Sequence, residues 1–388
     1  MKIAIITLNN PFEKIAGGID SVVYNLSKAL IGLGHEVWIV CLGNVKNEIV
    51  TKREGVNLWI LPDNGKGLFT RSLIFAICGR RAIRELERRG IKVFNGQGGL
   101  SSPLAFFKPK NAKVFLTVHT LDGEEIANIK DCVRIRKFKE ALVEAAKYPL
   151  LKIWRIFYLS RADYWIFVSK VAQKELKKHY WFLRKRCFLI PNGFHSTEIN
   201  SKMIGKEYDF IYVGRIDKRK CVDLIIKASK ILVNKNYDFS LAIVGRGPWK
   251  SDIEKLIYKY NLSKYIHLIG FLNQYEDVLM QILKSKFLIL PSLYESDPLV
   301  IKEALSLSVP CIVSDIPALT AKIKKGYNGF LFKNLNYKHL ADVMEKALFL
   351  DSKEYSKMSN NSKKSIENRN WIKVAKEYIK IFKGCVKK

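Results

Sequence analysis

The feature that most constrains the fold is an alternation of short, β-branched apolar runs with amphipathic helical patterns. The chain opens with a strand at Lys2–Leu8, a turn at Gly17-Gly18, a helical pattern that ends near Gly32, and a second strand at Glu36–Leu42. This β-loop-α-β unit is the one from which parallel sheets are wound. The alternation continues through the first half, where Pro149 is predicted to break a long helical stretch.

A domain boundary is indicated at Ile190-Pro191-Asn192-Gly193, after which a polar segment precedes a second series of strands and helices. The sequence therefore predicts two tandem Rossmann-like, doubly wound α/β domains, residues 1–193 and 194–365. Ligands of such sheets bind at the carboxyl ends of the strands, so we expect the active site in the cleft between the domains. A last helix, near Trp371–Lys383, comes too late for the second sheet, and we expect residues 366–388 to return to the first domain.

The formal net charge of +31 predicts a polyanionic neighbour, such as nucleic acid, an anionic membrane face or a phosphate-bearing substrate. Both halves of the chain are basic, and a compositional bias of the source organism would produce the same excess. The seven cysteines form no C-x-x-C pair and no Cys/His cluster, so no metal site is expected. Short apolar runs and a start unlike a signal peptide favour a cytoplasmic protein.

Two pairs of residues could bind a phosphate. Gly17 and Gly18 lie between the first strand and the first helix, where free amides and the helix dipole favour an anion, although the G-x-G-x-x-G spacing is missing. Arg215 follows a strand in the second half, and Lys220 opens the next helix. These two cations could clamp a diphosphate, the arginine through its planar fork, or they could be solvated side chains of a very basic protein.

The strongest local signal is the segment PSLYESDPLVIKEA. Within it, Glu295 lies in the loop after an apolar strand, Pro298 suits the first helical turn, and Glu303 falls about a turn and a half into the helix. The helix-start amides, at Leu299 and Val300, could hold a phosphate, while Glu303 accepts hydrogen bonds from ribose hydroxyls.

Further motifs accompany this segment in a fixed order along nearly the whole chain. They are the Gly17-Gly18 loop, Gly34-His35-Glu36-Val37, Thr117-Val118-His119, Ala162–Ser169, Ile190–Gly193, Tyr212–Arg215, Ile243–Gly247, Gly270-Phe271, and the Glu-x7-Glu of Glu295 and Glu303. In this order they resemble the motifs of the group 1 (family four) retaining glycosyltransferases, which have the GT-B fold.

The resemblance implies roles for individual residues. It implies that Arg215 and Lys220 bind the donor diphosphate and that Glu303 binds its ribose. It implies catalytic positions for Glu295, beside the transferred sugar, and for His119, on the opposite side. The donor-binding residues that it implies are Gly17, Gly18, Arg215, Lys220, Gly245, Leu299, Val300 and Glu303.

Two positions depart from the family pattern. Cys221 follows Lys220 where the family has glycine, and Ser296-Asp297 stands where glycine-containing loops are usual. We expect these departures to alter the loop that cradles the sugar, and so the identity of the sugar more than the reaction.

The resemblance implies transfer of a hexose from a UDP- or GDP-sugar to an acceptor hydroxyl, with anomeric configuration kept. We expect the acceptor to be a lipid-linked or cell-surface glycan of polysaccharide biosynthesis. The nucleotide sugar is a substrate, so no cofactor is expected. The sequence has no Asp-x-Asp element, so we expect the transfer to be metal-independent. The alternatives are a GT-B nucleotide-sugar epimerase or synthase, and a nucleic-acid-binding protein, for which no recognised binding module is present. We therefore expect no nucleic acid partner.

The predicted helix Arg71–Arg89 carries Arg80, Arg84 and Arg88 on one face, four residues apart. With apolar residues in its first half, this helix is typical of elements that rest on anionic lipid surfaces. We expect it to dock the protein peripherally at the inner face of the cell membrane, where the acceptor would lie. A solvated face of a basic protein is the alternative. Further cations expected on this face are Arg134, Arg136, Lys137 and Lys139.

Overall fold

The structure is a computed structural model that describes residues 1–13, 17–65, 68–98, 103–119, 138–184, 186–194, 205–366 and 369–386. It divides into two compact units. The first consists of Met1–Glu124, Val143–Gly193 and Arg369–Lys388, and the second of Glu125–Leu142 and Phe194–Asn368. Each unit contains a mainly parallel sheet with helices between the strands in sequence. The predicted class of two doubly wound α/β domains is confirmed.

The sheet of the first unit is almost entirely parallel. Its strands are β1 (Lys2–Asn9), β2 (Glu36–Gly43), β3 (Ile49–Arg53), β4 (Val56–Pro62), β5 (Val93–Gln97), β6 (Lys113–Val118), β7 (Tyr164–Phe167) and β8 (Cys187–Leu189). Their order is β3-β4-β2-β1-β5-β6-β7-β8, and the pair β3–β4 is antiparallel. The helices are α1 (Gly18–Gly32), α2 (Leu68–Arg88), α3 (Phe138–Ser160), which lies in this unit from Val143 onward, and α4 (Lys170–His179). Residues 3–6 of β1 are fully buried, as expected for a parallel strand covered on both faces.

The sheet of the second unit is parallel in every described pair. Its strands are β9 (Tyr208–Val213), β10 (Leu241–Val244), β11 (Ile266–Gly270), β12 (Ser285–Leu290), β13 (Cys311–Ser314) and β14 (Gly329–Phe332), in the order β11-β10-β9-β12-β13-β14. The helices are α5 (Val222–Asn234), α6 (Lys250–Lys259), α7 (Tyr275–Leu283), α8 (Leu299–Ser306), α9 (Pro317–Thr320), α10 (Tyr337–Leu348) and α11 (Ser352–Lys364). The strand order reverses between β9 and β12, which places a ligand crevice there.

The last helix, α12 (Trp371–Val386), packs within the first unit. The Tyr378 hydroxyl lies 3.3 Å from Thr117 Oγ1, and Arg369 Nε donates to the Pro191 carbonyl at 2.8 Å.

Some local predictions are wrong for physical reasons. Pro149 lies inside the continuous helix α3, so the loss of one backbone N–H does not end this helix. The short strands β3, β8 and β14 were not predicted. β14 begins at Gly329, where a Cβ atom would lie 2.0 Å from the Cys311 carbonyl oxygen, so pairing with β13 requires glycine at its first position.

Candidate active site

The reversal of strand order in the second sheet assembles the candidate site. The loop after β9 carries Arg215 and Lys220, and the loop after the adjacent strand β12 carries Glu295. The two loops are joined by a backbone hydrogen bond in which Leu293 N donates to Arg219 O at 2.9 Å. Residues far apart in sequence therefore meet because parallel neighbours present their carboxyl ends at one edge.

Glycines allow the loops after β9 and β10 to pack backbone against backbone. A Cβ atom on Gly245 would lie 1.9 Å from Gly214 O, and one on Gly247 would lie 2.1 Å from Ile216 O. The contact is closed by a hydrogen bond from Ile216 N to Arg246 O at 2.9 Å. Gly245, predicted to bind the donor, is therefore also required by the packing of this edge.

Lys220 and Glu295 form a largely buried ion pair, in which the ammonium group is in hydrogen-bond contact with Oε1 of the carboxylate. The Ser292 hydroxyl donates to the same oxygen at 2.6 Å. The carbonyl of Ser292 in turn accepts from the Ser314 hydroxyl at 2.6 Å. A carboxylate withdrawn from water requires partners of this kind. The orientation of the Glu295 side chain is thus fixed by both loops of the crevice.

Asp217 organises the loop that carries the two cations. Its Oδ1 accepts from the Lys220 amide at 3.1 Å and caps a short 3-10 turn, and its Oδ2 lies 3.4 Å from Arg215 Nε. The Tyr212 hydroxyl donates to the Arg215 carbonyl at 2.7 Å. The Arg215 side chain nevertheless remains 60% exposed, so its guanidinium group is accessible to a ligand from solvent.

Cys221, the first departure from the family pattern, has the backbone conformation that explains the usual glycine. Its φ and ψ are +51° and +39°, in the left-handed region. A side chain there costs roughly 1–2 kcal/mol. The thiol is buried and donates to Lys218 O at 3.4 Å. This sequence therefore keeps the turn at the cost of some strain.

Asp297, in the second departure, is the centre of a buried ion triad. Its carboxylate lies 2.5 Å from Lys302 Nζ and 2.8 Å from Lys322 Nζ, and its side chain is 1% exposed. Burial alone would raise the pKa of this carboxyl group, but the two ammonium groups outweigh burial and hold the pKa below its ordinary value. The triad ties the loop before α8 to the helix itself and to the segment after α9.

Glu303 lies on α8 with a different set of partners. The Tyr275 hydroxyl donates to its Oε1 at 2.6 Å. Burial raises the pKa of Glu303 to about 7, although the hydrogen bond from Tyr275 and the charge of Lys302 oppose this rise. The helix begins at Leu299 and Val300, and Pro298 occupies the N-cap position instead of the first turn. Proline offers no side-chain acceptor there, so the first amides of α8 have no side-chain cap.

In the first unit, Gly17 is the N-cap residue of α1 and Gly18 its first residue. Gly17 has an extended backbone that any residue adopts, with φ of −168°. A Cβ atom on either glycine would meet none of the described atoms within 4 Å. The described packing does not require glycine at either position.

His119 follows β6, and its Nε2 lies 2.7 Å from Oε1 of Gln97, at the end of the neighbouring strand β5. Gln97 is 3% exposed and also contacts the Asn95 and Thr117 side chains. His119 is thus tied to a buried polar network, not to an apolar core.

The structure brings Lys220 and Glu295 into contact and places Arg215 on the same loop. Gly17, Gly18 and His119 lie in the first unit. Sequence reasoning missed three residues that hold the predicted ones in place, which are Ser292, Tyr275 and Gln97. Ser292 had a local signal, since it precedes Glu295 by three residues, but Tyr275 and Gln97 come from distant elements. In the described part of the chain, no group of three or more His, Cys, Asp or Glu side chains could hold a metal ion.

Two family models match the chain in tandem. The model described as Glycosyltransferase Family 4 matches residues 16–198, and the model described as Glycosyl transferases group 1 matches residues 196–365. The two matches adjoin at the linker predicted from sequence and leave only the two ends of the chain uncovered.

Similar proteins cover the chain to different extents. An uncharacterized glycosyltransferase of Methanocaldococcus jannaschii is 24% identical over 404 residues, covering 99% of this chain and 98% of the relative. The UDP-Gal:alpha-D-GlcNAc-diphosphoundecaprenol alpha-1,3-galactosyltransferase of Escherichia coli is 30% identical over 198 residues, covering 46% and 49%. The solved sucrose-phosphate synthase of Thermosynechococcus elongatus has a TM-score of 0.81 at 19% identity, covering 99% and 98%. This likeness confirms the predicted GT-B fold.

The triad predicts a stability effect. Asp297→Asn removes the negative charge that pairs with the buried Lys302 ammonium group. We therefore expect the free energy of unfolding, measured in urea, to fall by about 3–5 kcal/mol. The matched control is Glu254→Gln, which breaks the exposed ion pair with Lys250. It should change the free energy of unfolding by less than about 1 kcal/mol.

The triad also predicts a pH dependence. The pKa of Asp297 is lower in the folded protein than in the unfolded chain, where it is about 3.9. The contribution of Asp297 to folding stability is therefore fully present above the unfolded pKa and is lost as the pH falls through the folded pKa. Wild type should therefore lose more stability than Asp297→Asn below about pH 4. Equal acid sensitivity of the two proteins would contradict the triad.

Proposed function

Because the chain belongs to the group 1 (family four) glycosyltransferases of GT-B fold, we propose that it moves a hexose from a UDP- or GDP-sugar to an acceptor hydroxyl, with retention of anomeric configuration and without a metal ion. The observation that carries this proposal is the buried Lys220–Glu295 pair at the reversal of strand order, beside the accessible guanidinium group of Arg215. We assign the donor diphosphate to the two cations and the transferred sugar to the neighbourhood of Glu295.

The chemistry of the leaving group supports this assignment. Departure of a nucleoside diphosphate develops negative charge, which fixed cations and helix-start amides stabilise without reorganisation. An ammonium group has three N–H donors, so Lys220 can keep its bond to Glu295 and still donate to a phosphate oxygen. Arg215 can grip two oxygens through its fork, and the uncapped amides of Leu299 and Val300 supply further donors.

For the acceptor, we propose a hydroxyl on a lipid-linked or cell-surface glycan. The name of the Escherichia coli relative states a UDP-Gal donor, a diphosphoundecaprenol-linked acceptor and an alpha-1,3 product. Its similarity covers about half of this chain, so it supports the class of donor and acceptor and not the identity of the sugar.

The proposal is tested with a panel of UDP-glucose, UDP-galactose, UDP-N-acetylglucosamine and GDP-mannose. A donor that binds only the folded protein stabilises it and so raises its melting temperature. At a donor concentration a hundred times Kd, the free energy of unfolding rises by about 2.7 kcal/mol. Product analysis with the stabilising donor should show a new α-glycoside. An isomerised nucleotide sugar would indicate an epimerase, and salt-sensitive binding of DNA without any donor effect would indicate a nucleic-acid-binding protein.

Glu303 predicts a pH dependence of donor binding. If its carboxylate accepts hydrogen bonds from ribose, protonation weakens them, so the Kd of the nucleotide sugar should rise as the pH falls below about 7. Glu303→Ala should weaken binding by about tenfold to a hundredfold, since a hydrogen bond to a charged group contributes about 1.5–3 kcal/mol. Calorimetry between pH 5 and 9 measures both effects, with the intact nucleotide sugar, whose diphosphate has no titrating terminal phosphate.

The matched control is Glu303→Gln, which keeps the size of the side chain and cannot titrate. Its Kd should be higher than that of wild type above pH 7 and should not vary with pH. Equal donor affinity of wild type and Glu303→Ala would rule out the ribose assignment.

The cation pair predicts activity in a chelator. We expect turnover in EDTA to match turnover without it, because Arg215 and Lys220 neutralise the leaving diphosphate. Arg215→Gln should lower kcat by about a hundredfold to a thousandfold, as the loss of one transition-state donor does. Lys227→Gln, on α5, removes the same charge outside the loop and should retain activity. Loss of turnover in EDTA that Mg²⁺ restores would contradict metal independence.

For the membrane, we propose that a face of α2 docks the protein on anionic lipid. This arginine face consists of Arg80, Arg81, Arg84 and Arg88, all exposed, beside the exposed apolar side chains of Leu73 and Ile77. It borders a groove of about 750 Å³ between α2 and the strands β3 and β4. Basic and apolar side chains on one face suit the boundary between headgroups and acyl chains.

Two residues of the arginine face, Arg80 and Arg88, contact other side chains of the first unit. Arg88 lies 3.6 Å from Glu85, and Arg80 stacks over the Phe107 ring at 4.8 Å. Among the described residues, no carboxylate lies within salt-bridge distance of Arg80, Arg81 or Arg84.

Of the further cations predicted for this face, Arg134, Arg136 and Lys137 lie outside the described residues, as does the side chain of Lys139. No helix of the described chain is both long and apolar enough to span a bilayer.

The arginine face predicts salt-sensitive binding to vesicles. Each cation near an anionic surface contributes about 1 kcal/mol, so reversal of Arg80, Arg84 and Arg88 to Glu should weaken binding by about a hundredfold or more and leave donor binding intact. Sedimentation with phosphatidylglycerol and phosphatidylcholine vesicles at low and high salt measures this.

The control reverses Lys174, Lys177 and Lys178 on α4, in the same unit, and so makes the same change in net charge. An equal loss in both triple variants would show that only net charge matters. Equal binding to neutral vesicles would contradict docking through charge.

A further inference from the structure

A chain of buried polar side chains crosses the first unit from His119 to the C-terminal helix. His119 Nε2 contacts Gln97, whose amide group contacts Asn95 and Thr117, and Thr117 Oγ1 lies 3.3 Å from the Tyr378 hydroxyl. Asn95, Gln97, Thr117 and Tyr378 are at most 3% exposed. Polar groups withdrawn from water in this number must satisfy one another, so their hydrogen-bond directions are not independent.

The directions follow from the backbone. Asn95 Nδ2 lies 3.4 Å from the Phe115 carbonyl oxygen, which can only accept, and 3.0 Å from Thr117 Oγ1. The other end of the Asn95 amide is therefore the oxygen, and it accepts from Gln97 Nε2. This fixes the Gln97 amide with its oxygen toward His119, at 2.7 Å from Nε2. Since an amide oxygen cannot donate, the proton in this bond belongs to His119 Nε2.

We propose that Gln97 is a positioning residue, which holds the His119 imidazole in one orientation and in the Nε2–H tautomer. In that tautomer Nδ1 carries the lone pair and acts as a hydrogen-bond acceptor. The part of His119 in the reaction rests on the proposed function, whereas the tautomer follows from the network alone.

Tyr378 closes the far end of the network and connects it to α12. Burial raises the pKa of its phenol to about 12, so it stays a neutral hydroxyl at physiological pH. Thr117 Oγ1 accepts from the amides of Asn95 and Gln97 and lies 3.3 Å from the Tyr378 hydroxyl, where either oxygen can donate. The C-terminal helix thereby supports, through three intermediate side chains, the orientation of a residue at the carboxyl end of β6.

The tautomer is measured directly by NMR of the full-length protein labelled with ¹⁵N-histidine, in which His119→Asn identifies the signal of His119. We expect the Nε2–H tautomer in wild type at neutral pH. In Gln97→Leu, which keeps the size of the side chain and removes the acceptor, we expect a mixture of tautomers. With the nucleotide sugar that gives turnover in the donor panel, kcat should fall by about tenfold while KM for the donor changes less than twofold.

Gln97→Glu keeps an acceptor for Nε2–H and adds a negative charge, so the imidazolium form is favoured and His119 should titrate at a higher pH than in wild type. This variant decides the proposal if Gln97→Leu does not fold. Gln173→Leu on α4, whose amide contacts the Cys187 sulfur at 3.6 Å, is the control and should change neither the tautomer nor kcat.

A wild-type tautomer in Gln97→Leu, or an unshifted His119 titration in Gln97→Glu, would overturn the proposal. Full activity of His119→Asn would instead remove His119 from the reaction and leave the tautomer result standing. The two failures are therefore distinguishable.

Discussion

A carboxylate that folding withdraws from water needs a cation or hydrogen-bond donors, and this requirement shapes the segment from the end of β12 into α8. Three carboxylates lie there within nine residues, and each has a different set of partners. Glu295 has one ammonium group and one hydroxyl, Asp297 has two ammonium groups, and Glu303 has the Tyr275 hydroxyl. Of the two whose pKa is shifted, Asp297 stays charged and Glu303 titrates near neutrality. Asp297 is therefore committed to its two cations, whereas Glu303 can still gain by accepting hydrogen bonds from a ligand.

The backbone at the carboxyl edge of the second sheet shows which departures from the family pattern a fold can accept. Cys221 and Gly245 both have positive φ. At Cys221 the turn requires only a positive φ, and the interior has room for the thiol, which is buried. At Gly245 a Cβ atom would meet the carbonyl oxygen of Gly214, which belongs to an adjacent strand end and cannot yield without loss of the sheet. Strain in one residue is tolerable, whereas overlap of two backbones is not.

The fold was predictable because short apolar runs that alternate with helical patterns leave few arrangements for buried parallel strands. The positions of Lys220 and Glu295 at one crevice were predictable because both residues lie in loops that follow strands of the second half. The residues that contact Glu303 and His119 were not, since Tyr275 and Gln97 arrive through tertiary packing that has no local signal. Asp297 was interpreted from sequence as a change in the sugar-cradling loop, but its charge is committed to Lys302 and Lys322. The distant Lys322 could not be paired with it from spacing alone.

The net charge of +31 has different consequences in different places. In the candidate site, Lys220, Lys302 and Lys322 are each paired with a carboxylate, so they add little to the long-range field of the protein. On α2, by contrast, Arg81 and Arg84 stand exposed with no carboxylate of the described chain within salt-bridge distance, and their field extends into solvent. Paired cations give precise geometry, and unpaired ones give attraction over about a Debye length. The unpaired charge of α2 is therefore better suited to attract a polyanionic surface than the paired charge of the candidate site.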